Sequence, residues 1–413
     1  MTSFDLDSVR RCFPALADGF AYFDNAGGSL TLESVAARVS DYLLRTDVQL
    51  GASYEVSAKA SARVQEAREA IALLMNAATP EEVVLGPSTT VLLGFLAEAM
   101  RPSIEPGDEI VVTRADHEAN IGCWTRLAEK TGATLRFWDP DPETHDLHPE
   151  ALDDLLTDRT RLVCFTHVSN IFGRLHPVAE ITKRAHAAGA EVCVDGVAYA
   201  PHRAIDVRAW DVDYYAFSLY KVYGPHHAVL YGKRDRMLEL DSINHFFVEK
   251  DRIPGKLEPG NVNYELTWAS GAVTEYVAGL GGADASADPA AMREAVVRGF
   301  DAIAAHEQAI GGRLLDYLRG RADVRIVGPD TDDASVRVPT ISFVVEGRRS
   351  SEIVERVDPY GIGIRFGDFY ARRLIDWLGL GEQDGVIRAS MVHYNSFEEV
   401  DRLIAALDEV LGG

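Results

Sequence analysis

Residues 191–227 read EVCVDGVAYAPHRAIDVRAWDVDYYAFSLYKVYGPHH, which holds two short apolar runs, each followed by a charged group. Asp195 ends the first run, and a carboxylate at the end of a buried strand is costly unless a fixed cation faces it. Lys221 follows the second run, YYAFS, and lies among aromatics just before a Gly-Pro turn. A lysine partly withdrawn from water has a lowered pKa and can serve as an imine-forming nucleophile.

Working outward, residues 80–235 alternate short apolar runs with longer amphipathic stretches. EEVVLG, DEIVVT, ATLRFW, TRLVCFTH, AEVCVD and YYAFS read as strands; TVLLGFLAEAM, NIGCWTRLAEKTG, HPEALDDLLTD and VAEITKRAHAAG read as helices. Strands this apolar have no face for water, so the alternation predicts a mostly parallel sheet covered on both sides. Ligands of such sheets bind at the carboxyl ends of the strands. Ser88, Thr89 and Thr90 in LGPSTTVLLGF stand at one such end, where a helix begins, and hydroxyls with free amides there suit a phosphate. Beyond GLGGADASADPAAM (279–292), expected as a surface connection, a long helical stretch leads to the short strands VRIVG, TISFVVE, GIGIRF and VIRASMV and a closing helix. That order predicts a smaller α+β unit.

Composition bounds the function classes. The 413 residues carry 41 Lys+Arg against 64 Asp+Glu, a net charge of −23, with 47% hydrophobic residues. These are values of a folded chain with a large core, long enough for two or three structural units. The acidic balance excludes nucleic-acid binding through a general basic surface. No apolar run of ~18 residues predicts a membrane span, and MTSFDLDSVRRCFPAL does not read as a secretory signal. Cys12, Cys123, Cys164 and Cys193 form no C-x-x-C pair. Cys164 and Cys193 read as core residues in a reducing compartment, so the expected location is cytoplasmic.

Several motifs fail. GIGIRFG at 361–367 lacks the dinucleotide spacing, which removes a nucleotide-dependent oxidoreductase, and no Walker sequence or G-x-S-x-G elbow occurs. DHE at 116–118 reads as three solvated or cofactor-facing polar groups at a strand end, GPHH at 224–227 reads as a loop, and no metal site is expected. Taken singly, Lys221 could be a surface charge and Ser88–Thr89 or Asp195 a helix cap. Together they supply an imine-forming lysine, a carboxylate for a pyridinium nitrogen and a phosphate cup, which is what pyridoxal phosphate requires. Spacing alone leaves both readings standing.

The chain resembles the class V aminotransferase family of pyridoxal phosphate enzymes, and within it the cysteine desulfurases. The matching segments run from YFDNAGG (22–28) to IRASMVHYNSFEEVDRL (387–403), nearly the whole chain. DHEANIGCW resembles the family's E-H-H-A-N-I, HVSNIFG its H-V-S-N-x-x-G, LEPGNVNYE the segment reaching a neighbouring subunit's cofactor, and IRAS the carboxylate-binding arginine. The resemblance implies a Schiff base at Lys221, His117 stacked on the pyridine ring, Asp195 at the ring nitrogen and Asn170 near the ring hydroxyl. It implies phosphate contacts from Ser88, Thr89 and Ser218, with Asn261 reaching across a homodimer interface; Tyr220 replaces the family's histidine just before the lysine, and its hydroxyl is expected to reach the phosphate instead. Arg388 then holds the substrate α-carboxylate, where a bidentate guanidinium fits best, and Arg365 and Tyr370 border the substrate.

The implied fold is α/β and aspartate-aminotransferase-like (fold type I). Residues 1–25 would pack on the small domain, 26–280 form the large cofactor domain, and 290–413 form the small C-terminal domain.

Two departures bear on function. In RFGDFYARR (365–373), Tyr370 stands where the desulfurases carry their catalytic cysteine, so the family's persulfide route is missing. Cys123, six residues past His117 on an expected helix, is the remaining thiol of interest near the site. In DGVA, Ala198 replaces a glutamine and cannot hydrogen-bond the ring oxygen. The expected reaction is amino-acid β-elimination of the carbon–sulfur lyase type. Transamination and epimerisation are the alternatives within the class, and a catalytically inactive scaffold the alternative outside it.

Overall fold

The computed structural model describes residues 5–284 and 287–412. Residues 1–4 of the N-terminal segment, 285–286 of the 279–292 connection, and 413 lie outside the described residues. The N-terminal segment contributes β1 (Ala21–Tyr22). The main sheet has seven strands: β2 (Val83–Gly86), β3 (Glu109–Thr113), β4 (Thr134–Trp138), β5 (Thr160–Thr166), β6 (Glu191–Asp195), β7 (Tyr214–Ser218) and β8 (Ala228–Gly232). Their order is β2-β8-β7-β6-β5-β3-β4. Every pairing is parallel except those of β8, which runs antiparallel to both β2 and β7.

The apolar runs are continuous because both faces are covered. Alternate residues point to opposite sides, so Val163, Phe165, Val192 and Val194 enter one core while Leu162, Cys164 and Cys193 enter the other. The helix Thr89–Met100 shares the second core with Cys123, Trp124 and Leu127 of the helix Ala119–Thr131. The strand AVLYG, which became β8, was not among the sequence expectations. Its direction follows from the tight Gly-Pro turn after Lys221, which returns the chain beside β7 instead of crossing over.

The smaller unit is a four-stranded antiparallel sheet of order β12-β13-β10-β9, built from β9 (Val324–Val327), β10 (Thr340–Val345), β12 (Arg365–Gly367) and β13 (Val386–Ser390). GIGIRF, read as one strand, is split: β11 (Ile362–Gly363) pairs in parallel with β1, and β12 joins the sheet. Ala21 and Phe23 thereby enter this unit's own core. The helix Pro289–Arg319 serves both units, with Val296, Phe300 and Ile303 in the first core and Ile310, Leu314 and Leu318 in the third. No helix among the described residues is long and apolar enough to cross a membrane.

Candidate cofactor and substrate site

The carboxyl ends of β2, β3, β5, β6 and β7 open on one pocket of about 490 Å3, lined by Ser88, Thr89, His117, Asn170, Asp195, Ser218, Tyr220 and Lys221. Lys221 ends a single 3-10 turn, Leu219–Lys221, directly after β7. Its backbone is held by the 28–32 segment. Ser29 donates to the Tyr220 carbonyl through its amide (3.0 Å) and hydroxyl (3.1 Å), and Ser29 Oγ accepts the Tyr223 amide at 2.7 Å. Burial, aided by the Arg388 charge, lowers the Lys221 amine to about 8, while Asp195 pulls the other way. A nucleophilic amine thus exists near neutral pH.

Asp195 is the last residue of β6, and one carboxylate oxygen accepts the Val197 amide at 2.8 Å. Burial pushes its carboxyl up. Gly196 follows because any Cβ there would strike the Tyr215 ring, which packs against the end of the strand. Asp116, the first residue of the DHE stretch, is buried nearby and also pushed up, by burial and by the Asp195 charge. It accepts the His117 amide (2.8 Å) and the Asn120 side-chain amide (2.7 Å), which fixes the entry to the helix Ala119–Thr131.

His117 Nδ1 accepts the Ala119 amide at 3.0 Å. The ring proton therefore lies on Nε2. Burial, with Lys221 and Arg388 as neighbouring charges, lowers the imidazole to about 4, so it is neutral at physiological pH. A neutral flat ring suits stacking on an aromatic cofactor.

Asn170 follows β5. Its Nδ2 donates to the Phe369 carbonyl at 3.0 Å, while its buried Oδ1 has no partner among the described residues. An orphaned buried acceptor calls for a donor, and the ring hydroxyl of pyridoxal phosphate is one. At the other end, Thr89 and Ser218 share a hydroxyl contact of 2.7 Å, and Ser88 Oγ accepts the Val91 amide at 3.2 Å. The first amides of the helix Thr89–Met100 stand beside these hydroxyls, a set of donors that suits a phosphate. Ala198 lines the same pocket without a polar side chain.

Arg388, on β13, is buried. It donates from Nη2 to Asp24 (3.1 Å) and from Nη1 to the Asn170 carbonyl (3.2 Å), while Nε has no hydrogen-bond partner among the described residues. Arg365 faces it in register on β12 and donates to the other oxygen of Asp24 at 3.3 Å. Burial lowers Arg388 to about 10, Asp24 opposing, so it stays charged. Asp24 is the shared counter-ion of both arginines. It lies in the quoted YFDNAGG, but no local signal ties it to residues more than three hundred positions away.

Two residues singled out in the sequence lie outside this pocket: Asn261, expected to act on a neighbouring subunit's cofactor, and the thiol Cys123. Asn261 lines a separate outer groove with Arg68, Asn244 and Phe247. Cys123 is buried in the second core, does not line the Lys221 pocket, and donates through Sγ to the Ala119 carbonyl. Burial pushes its thiol up.

The fold and this donor set define an enzyme that uses pyridoxal 5'-phosphate. The aminotransferase class-V family model matches residues 21–403. The chain belongs to that family, whose members depend on this cofactor. It is 44% identical to the "Aminotransferase-like protein FGM3" of Gibberella zeae, across 99% of both chains. It is 34% identical to the "Cysteine desulfurase-like protein ustD" of Aspergillus flavus, across 98% of this chain and 91% of that one. Among solved structures, the cysteine desulfurase CsdA of Escherichia coli superposes with a TM-score of 0.84 at 29% identity, covering 99% of each chain.

Proposed function

We propose that this enzyme removes the β-substituent of an amino acid, in the manner of a carbon–sulfur lyase, without a cysteine persulfide. The observation that carries the reading is the turn at the pocket mouth. Phe369 and Tyr370 occupy it, RFGDFYARR contains no cysteine, and Cys123 is a core thiol outside the pocket.

Bound pyridoxal phosphate supplies a reversible covalent link to the substrate amine and an electron-poor ring that acidifies the α-proton. The residues of this chain do the rest. Lys221 Nζ, freed when the substrate amine takes its place, is the base that accepts the α-proton. Arg388 would hold the α-carboxylate, and Asp195 would keep the ring nitrogen protonated. His117 would cover one face of the ring, Asn170 Oδ1 would accept from the ring hydroxyl, and Ser88, Thr89, Ser218 and Tyr220 would hold the phosphate. Loss of the β-substituent then leaves an unsaturated product that hydrolyses to a keto acid and ammonia.

A homodimer suits the outer groove that holds Asn261, beside which Phe246 is fully exposed. Four free cysteines suit a reducing cytoplasm.

The test is an absorbance spectrum of the purified protein before and after a panel of L- and D-amino acids that includes cysteine and cystine. The expected result is a band at the visible edge that is missing in Lys221→Ala, with pyruvate, ammonia and sulfide as products. A keto acid retaining the side chain would instead mark a transaminase, and a change of configuration alone an epimerase. A band that no amino acid alters would leave a cofactor-binding scaffold.

A further inference from the structure

We propose that Glu118 and Arg373 are positioning residues, a latch that holds the Phe369–Tyr370 turn against Arg388 and His117. The inference deepens the reading of Arg388 as the carboxylate anchor and rests on it.

Glu118 directly follows His117 and precedes the helix Ala119–Thr131. Its carboxylate receives both arms of Arg373, from Nε at 2.8 Å and Nη2 at 3.0 Å. Arg373 lies in the helix Arg372–Trp377 of the smaller unit, three residues past Tyr370. A second tie runs beside the first: the Glu118 amide donates to the Tyr370 carbonyl at 2.8 Å. The fork-to-carboxylate geometry fixes direction as well as distance.

What the latch holds is a strained turn, closed locally by Asp368, whose carbonyl accepts the Ala371 amide at 2.8 Å. Phe369 (φ 50°) and Tyr370 (φ 60°) are consecutive residues in the left-handed region, which side chains disfavour unless surrounding contacts impose it. Further ties are the Asn170 side-chain amide on the Phe369 carbonyl and the Asp368 carboxylate accepting the Tyr370 amide, each at 3.0 Å. So held, the Phe369 ring lies 3.6 Å from the Arg388 guanidinium carbon, and the Tyr370 ring centroid lies 5.3 Å from that of His117. Stacking occupies the face of the guanidinium and leaves its edge for a carboxylate. A turn free to relax would bare Arg388 to water and lose its orientation. An ion pair this exposed adds little stability, so its contribution is to geometry.

The experiment compares the holoenzyme with Glu118→Gln, Arg373→Gln and the charge-swapped double variant Glu118→Arg/Arg373→Glu. Hydrogen exchange at the amides of residues 118 and 370 is followed beside steady-state kinetics with the best amino acid of the panel. Each single variant is expected to exchange about tenfold faster at those two amides. Each should raise KM about tenfold with kcat within about threefold, at an unchanged cofactor band. The swapped pair should return both quantities toward the parent values. Unchanged exchange overturns the latch, as does faster exchange with an unchanged KM. A KM rise that the swap does not repair also overturns it, since a merely structural staple would give that. Exchange needs no turnover, so a failure of the lyase reading is seen separately, as an absence of products while exchange still reports on the turn.

Discussion

At the scale of single residues, the chemistry depends on how each ionisable group is surrounded. Lys221 is kept low by burial and by Arg388, and raised by Asp195. Only the neutral amine can capture the cofactor, so capture should accelerate as pH rises toward about 8. Arg388→Gln removes a cation that favours the neutral form, so the lysine pKa rises and the profile moves to higher pH. Asp195→Asn removes an anion that favours the charged form, and the profile moves lower. Stopped-flow growth of the cofactor band against pH reads both shifts, and a profile unmoved in both variants would refute this electrostatic coupling. Asn170→Ala should weaken cofactor retention by roughly 1–3 kcal/mol, the scale of a buried polar group losing its partner, measured by equilibrium dialysis.

At the scale of elements, the site is held by segments that converge from both units. The Asn170 loop after β5 is tied to β10, where Ser342 Oγ donates to the Ile171 carbonyl at 2.6 Å. The helix Pro289–Arg319 crosses close to the helix Tyr264–Leu280 at Gly299, where any Cβ would strike the Val277 carbonyl. Gly299→Ala should therefore force the two helices apart and cost about 1–3 kcal/mol. A lowered melting temperature with intact cofactor capture is the expected outcome, and an unchanged melt would show that the crossing yields freely. Six strands of the main sheet were legible because buried strands have unbroken apolar runs. β8 was not, since AVLYG follows the Gly-Pro turn closely and its sequence carries no sign of which way it runs along a sheet. The division of GIGIRF between two sheets was likewise set by β1, a partner more than three hundred residues distant.

At the scale of the whole molecule, charge and surface matter. A net charge of −23 repels an anionic cofactor. Salt shortens the screening length from ~30 Å at 0.01 M to ~10 Å at 0.1 M. Cofactor capture should accelerate over that range, and a fall in rate would show that the local field of Lys221, Arg388 and Arg365 outweighs the surface. Phe246 is fully exposed and Phe247 largely so, and the proposed dimer would cover this apolar pair. Phe246→Ser with Phe247→Ser should weaken the proposed dimer in sedimentation, and an undiminished dimer would put the interface elsewhere.

The sequence by itself determined the alternating α/β layout and the strand-end setting of Asp195, Lys221 and Ser88–Thr89, because these depend on local periodicity and on side-chain chemistry at the end of a run. Its resemblance to a family added His117, Asn170 and Arg388. Only the tertiary structure decided that Asp24 is shared by two arginines, that Asp116 lies buried beside Asp195, and that Cys123 is a core thiol. It also joined Glu118 to Arg373 across 255 positions. These are facts of long-range proximity and burial, and nothing in the local order of residues encodes which distant side chain will arrive at a given carboxylate.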